Sequence, residues 1–119
     1  MSIERVPVSG SASYSKAVAV SGAGRTVYVS GGLSPSGSMA EQANACFDQI
    51  DATLRAVGGS LEHVVRITAW LTRLDEYAEY NRVRGERFRG NLPASAAVQV
   101  AGLLQGALIE IDAVAFIPD

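Results

Sequence analysis

The chain has 119 residues, 48% of them apolar, enough for one compact domain and too few for two independent cores. Ten Lys and Arg against twelve Asp and Glu leave a formal charge of −2, so no basic field gathers phosphate, and no nucleic-acid partner is expected. One cysteine and one histidine exclude an internal disulfide and any thiolate or imidazole metal cluster. No apolar run approaches the roughly 20 residues of a bilayer-crossing helix, and Met1-Ser2-Ile3-Glu4-Arg5 lacks the charged-then-apolar order of a secretion signal. The expectation is a cytoplasmic protein with no membrane partner.

Strand-like segments open the chain at about 2–7, 16–20 and 25–30, the last through the β-branched and aromatic run Thr26-Val27-Tyr28-Val29. The 31–38 segment is a glycine-containing loop without the Lys-Ser/Thr ending of a phosphate cradle. Ala43, Phe47, Ile50, Leu54 and Val57 then recur at steps of four and three, one apolar stripe of an amphipathic helix. Cys46 falls beside that stripe and reads as a packed, inert thiol.

Gly58-Gly59-Ser60 stops the helix, and a strand follows at about 63–72, where His63 reads as structural. Asp75 is placed to cap a second helix over 76–88, with Tyr77, Tyr80 and Phe88 on one side and Gly85 weakening its interior. Arg84 interrupts that side. Strands at about 95–101 and 107–116 close the chain after a break at Gly90-Asn91-Leu92-Pro93.

This order predicts an α+β sandwich spanning residues 1–119, two helices on one face of a mixed sheet. Val65, Ile67, Ala69 and Leu71 alternate with Val64, Arg66, Thr68 and Trp70, so both faces of that strand carry bulk. Two layers this small leave one sheet face uncovered, and closed symmetric association is the common way to bury it.

Six blocks, in order, are Tyr14-Ser15-Lys16-Ala17-Val18, Val27-Tyr28-Val29-Ser30-Gly31, the 64–72 strand, Glu79-Tyr80-Asn81, Leu92-Pro93-Ala94 and the 107–113 strand. Together they resemble the Rid (YjgF-like) family over nearly the whole chain. The resemblance implies a chorismate-mutase-like subunit, a homotrimer, and small-molecule clefts between neighbouring subunits. It also implies hydrolysis of amino-acid-derived imines and enamines, such as 2-aminoacrylate, without cofactor or metal. The family has been labelled a ribonuclease, which this composition does not support.

Carried over residue by residue, Tyr14, Ser30 and Gly31 match cleft-lining positions, and Glu110 matches the glutamate that positions the water. Ser95 stands where the family's carboxylate-gripping arginine belongs, and Ala97 where its cysteine belongs. Each has an ordinary reading beside this one. Glu110 is otherwise a solvent-facing carboxylate, Tyr14 an amphipathic sheet-edge residue, and Ser30-Gly31 a strand-end turn.

An arginine fork binds a carboxylate bidentately, and a charge-assisted bond of that kind contributes roughly 1.5–3 kcal/mol. Ser95 offers one neutral bond. A cleft of Ser95, Ala97 and Glu110 is then small and weakly acidic, and weak or no activity on ordinary amino-acid imines follows. Three readings stay open: an altered-cleft protein that hydrolyses an imine or enamine without a carboxylate or binds a related metabolite, a non-catalytic trimeric binding module, and a conventional amino-acid-imine deaminase with a substitute arginine. Arg82, Arg84, Arg87 and Arg89 read as a solvated helix face, with Arg82 and Glu86 spaced as an i, i+4 pair. Arg89 or a neighbouring subunit is the alternative source of a cation.

Overall fold

A computed structural model describes residues 2–10 and 12–119; Met1, which opens the N-terminal segment, lies outside the described residues. Strands β1 (Ile3–Pro7), β2 (Ser15–Val20) and β3 (Gly24–Gly32) precede helix α1 (Met39–Arg55). Strand β4 (Val64–Leu71), helix α2 (Tyr77–Arg87), and strands β5 (Ala94–Gln99) and β6 (Ile109–Pro118) follow. Short 3₁₀ turns at Leu61–His63 and Leu104–Gly106, absent from the sequence reading, join the later elements.

The strands form one mixed sheet in the order β1-β2-β5-β4-β6-β3. β5 runs parallel to β4 and β2, and the other pairs are antiparallel. The β4–α2–β5 unit makes the parallel pair possible, because parallel neighbours need a crossover. Both helices pack on one face, giving the expected α+β, chorismate-mutase-like sandwich. No helix among the described residues is long and apolar enough to cross a membrane.

α1 begins with a capping box: Ser38 accepts from the Glu41 amide, and Glu41 accepts from the Ser38 amide. Its stripe buries Ala43, Phe47, Ile50 and Leu54, while Val57 falls beyond the helix and is exposed. α2 starts differently from expectation. Glu76, not Asp75, is the cap and makes no side-chain capping bond, being paired instead with Arg73 at 3.1 Å.

The core joins the α1 stripe to Ile67, Ala69 and Leu71 of β4 and to Ile109, Ile111 and Ala113 of β6. An irregularity between Val64 and Arg66 breaks the strict alternation of β4. Val64 is therefore fully buried with the core rather than facing away with Arg66. On the opposite sheet face Trp70 is half-buried, Val98 is exposed, and Tyr28 is 80% exposed.

Candidate functional site

Register decides which predicted site residues can meet. On β5, Ser95 pairs with Ile67 and Ala97 with Ala69, both fully buried, so Ser95 and Ala97 face the helices. On β6, Glu110 pairs with Trp70 while its neighbours Ile109 and Ile111 are buried, so Glu110 faces the other way. The expected grouping of Ser95, Ala97 and Glu110 does not form within one chain. β5 and β3 are also three strand spacings apart, about 14 Å.

Two separate groups result. The first is a pocket of about 510 Å³ lined by Tyr14, Leu74, Tyr77, Arg84, Ser95 and Ala97. The second centres on Gly31, whose backbone lies so close to the Glu110 carboxylate that a β-carbon there would collide with it. Glu110 is half-buried and has no hydrogen-bond or ion-pair partner among the described residues. Beside it, Ser30, Gly31 and Gly32 edge a smaller hollow of about 340 Å³ against Gln49, Ile50 and Thr53 of α1.

The first pocket contains the residue that sequence reasoning misassigned. Arg84 is 2% exposed, not part of a solvated face. Its Nε donates to Ser13 Oγ at 2.8 Å, and Nη1 donates to Ser95 Oγ at 2.9 Å and to Tyr80 Oη at 3.5 Å. Nη2 donates to Tyr77 Oη at 2.9 Å and Asn81 Oδ1 at 3.0 Å. The guanidinium carbon also sits 4.9–5.8 Å from the ring centres of Tyr14, Tyr77 and Tyr80, within cation–π range.

All these acceptors are neutral. No carboxylate among the described residues pairs with Arg84. A buried cation usually has a counter-charge, because desolvation costs several kcal/mol per ion; here hydroxyls, an amide and aromatic faces stand in for one. The pocket is thus cationic, and the expected weakly acidic cleft at Ser95 is corrected.

The local sequence explains how Arg84 gets there. Tyr77, Tyr80, Asn81, Arg84 and Phe88 lie at helical steps of three and four, so Arg84 shares the inward stripe of α2. Gly85 lets the 12–15 segment approach: a β-carbon at residue 85 would meet Ser13 Cβ at 3.2 Å. That approach carries Ser13 to Arg84 Nε and the Tyr14 ring to its face. The usable signal was an arginine on a core-facing step four residues after one tyrosine and seven after another.

The other arginines have other duties. Arg82 pairs with Glu86 at 3.1 Å in the exposed i, i+4 geometry expected, and Arg87 ties α2 to Asp48 at 2.7 Å. Arg89 is exposed at the helix exit. A larger hollow of about 930 Å³ includes Arg5, but that guanidinium is spent on the Val64, Leu92 and Glu62 carbonyls at 2.9–3.1 Å.

Cys46 is fully buried and donates to the Gly32 carbonyl at 3.3 Å. Burial, reinforced by the Glu110 charge, pushes its thiol up to about 12, which makes it a poor nucleophile. Burial also raises the Tyr80 phenol, against the opposing pull of Arg84. His63 Nδ1 accepts from the Ser60 amide at 3.0 Å, a structural role.

Comparison with known proteins agrees with this architecture. The sequence profile of the family described as endoribonuclease L-PSP matches residues 5–117. The 2-iminobutanoate/2-iminopropanoate deaminase of Rattus norvegicus is 40% identical over 110 residues, covering 86% of this chain and 78% of that protein. Protein DfrA of Myxococcus xanthus is 41% identical over 110 residues, covering 86% of this chain and 83% of that protein. The crystal structure of RidA from the Antarctic bacterium Psychrobacter sp. superposes with a TM-score of 0.75 at 35% identity, covering 98% of this chain and 99% of that one. With the sheet order, the paired helices and the family's sequence blocks all present, the chain belongs to the endoribonuclease L-PSP family, the YjgF/Rid group.

Proposed function

We propose that the chain binds and hydrolyses imines or enamines that carry a carboxylate, in clefts between the subunits of a homotrimer. The buried, counter-ion-free guanidinium of Arg84 in a pocket of ligand size carries this reading. It supplies the fixed cation that Ser95 does not, from α2 instead of β5. Swapping the Ser95 and Tyr77 hydroxyls for a carboxylate replaces neutral acceptors with a charged one on the same two nitrogens.

The cleft is altered twice, in the origin of its cation and in the exchange of a cysteine for Ala97. Low activity on the smallest amino-acid imine, 2-aminoacrylate, belongs to the same reading. Glu110 and the Ser30-Gly31 backbone form the complementary half, from a neighbouring copy. In support, the two halves lie on opposite faces of one sheet, and the open face exposes Tyr28 and Val98. Glu110 takes a proton from water as the oxygen adds to the C=N carbon. Collapse of the resulting carbinolamine expels ammonia and leaves the ketone, with no cofactor required.

A second reading, a binder without catalysis, is favoured by one observation: among the described residues the Arg84 pocket is lined by no carboxylate or imidazole. The two separate on Glu110. Imines generated from amino acids by an oxidase are offered to the protein, and their clearance is followed by trapping. Glu110→Gln should slow clearance at least 10²-fold, the usual scale of general-base catalysis, and leave binding of an unreactive carboxylate within about twofold. Clearance no faster than buffer, with carboxylate binding intact, selects the binder. Absence of both refutes the proposal.

A further inference from the structure

We infer that the pocket selects monocarboxylates with a branched or aromatic uncharged body, over the smallest acids. This rests on the reading of Arg84 as the anion anchor and adds what the walls recognise. Beyond the guanidinium, the lining is the rings of Tyr14 and Tyr77, the Leu74 side chain and the Ala97 methyl. Leu74 is 47% exposed in the loop before α2 and lies outside the core, so its place at the pocket edge is not a packing requirement. The two β5 residues in the lining, Ser95 and Ala97, are both small.

A volume of about 510 Å³ is within the range of sites that enclose whole metabolites. An acid with only a methyl side chain reaches Arg84 and leaves Leu74, Ala97 and the tyrosine faces wet. A branched or phenyl body covers them. Among the described residues the lining holds no second cation, so a second carboxylate on the ligand is desolvated without a partner. Selection therefore runs against dicarboxylates.

The test is calorimetric titration of the assembled protein with unreactive probes: acetate, butanoate, 4-methylpentanoate, 3-phenylpropanoate and glutarate. Affinity should rise about threefold to fourfold per buried methylene, with glutarate binding more weakly than 4-methylpentanoate. Leu74→Ala, a change at an exposed loop position, should weaken 3-phenylpropanoate several-fold and leave acetate unchanged. Arg84→Met should weaken every probe at least tenfold. If affinity is flat across the series while Arg84→Met still abolishes it, the selection for an apolar body is overturned and the anion anchor stands. If Arg84→Met leaves the affinities unchanged, or no probe binds at millimolar concentration, the anchor falls as well.

Discussion

Substituting Ser95→Arg restores the residue that the family pattern places on β5, and from sequence alone it should strengthen carboxylate binding. The structure reverses that expectation. Arg84 Nη1 already lies 2.9 Å from Ser95 Oγ, so a second guanidinium grown from residue 95 enters an occupied, mostly buried space. Two like charges about 4 Å apart repel by about 4 kcal/mol at an effective dielectric of 20. The change also removes the Ser95 acceptor, leaving a buried donor unmet at a cost of about 1–3 kcal/mol. Against a typical total stability of about 5–15 kcal/mol, the single variant should be severely weakened.

Ser95→Arg combined with Arg84→Met removes the clash and should recover most of the loss. Urea unfolding of the parent, both single variants and the double variant gives the coupling energy directly. A favourable coupling of roughly 3 kcal/mol or more is expected, with carboxylate affinity returning in the double variant. If Ser95→Arg alone is as stable as the parent and binds carboxylates more tightly, Arg84 does not occupy the pocket in solution, and the assignment of the cation to α2 is wrong.

Gly85→Ala should raise intrinsic helix propensity by about 1 kcal/mol but press on Ser13 Cβ, 3.2 Å from the new methyl. Stability should change by less than about 1 kcal/mol while carboxylate affinity drops several-fold; unchanged affinity would mean the 12–15 segment does not position the cation. The Cys46 thiol, raised to about 12 from an ordinary value near 9, should resist alkylation in the native protein at pH 8, as scored by mass spectrometry. Because only the unfolded chain then ionises readily, the stability from this group is intact below pH 9 and drains away between pH 9 and 12. An alkaline unfolding series of parent and Cys46→Ala should show the parent losing stability relative to the variant over that window, and parallel curves would contradict it.

Much of the fold was legible because its signals are local. The α1 stripe at Ala43, Phe47, Ile50 and Leu54 and the β-branched run of β3 point to one solution each, and the elements lie within a few residues of their expected places. The capping box at Ser38 and Glu41 and the two short 3₁₀ turns were not read from the sequence, although the first uses only residues three apart. The irregularity in β4 that buries Val64 was out of reach, since it exists only against β6.

Sequence by itself determined the family, the layered α+β architecture and the types of residue at 14, 30, 31, 95, 97 and 110, because periodicity and motif order are carried by near neighbours along the chain. Only the tertiary structure decided how those residues divide. Pairing of Ser95 with Ile67 and Ala97 with Ala69, 28 positions apart, and of Glu110 with Trp70, 40 positions apart, turns Glu110 away from Ser95 and Ala97. Ser13, 71 positions before Arg84, helps draw that side chain out of solvent. A long cationic side chain on a helix looks the same in sequence whether it points to water or into a pocket. Its charge state is fixed by chemistry, but its surroundings are set by what the rest of the chain folds against it.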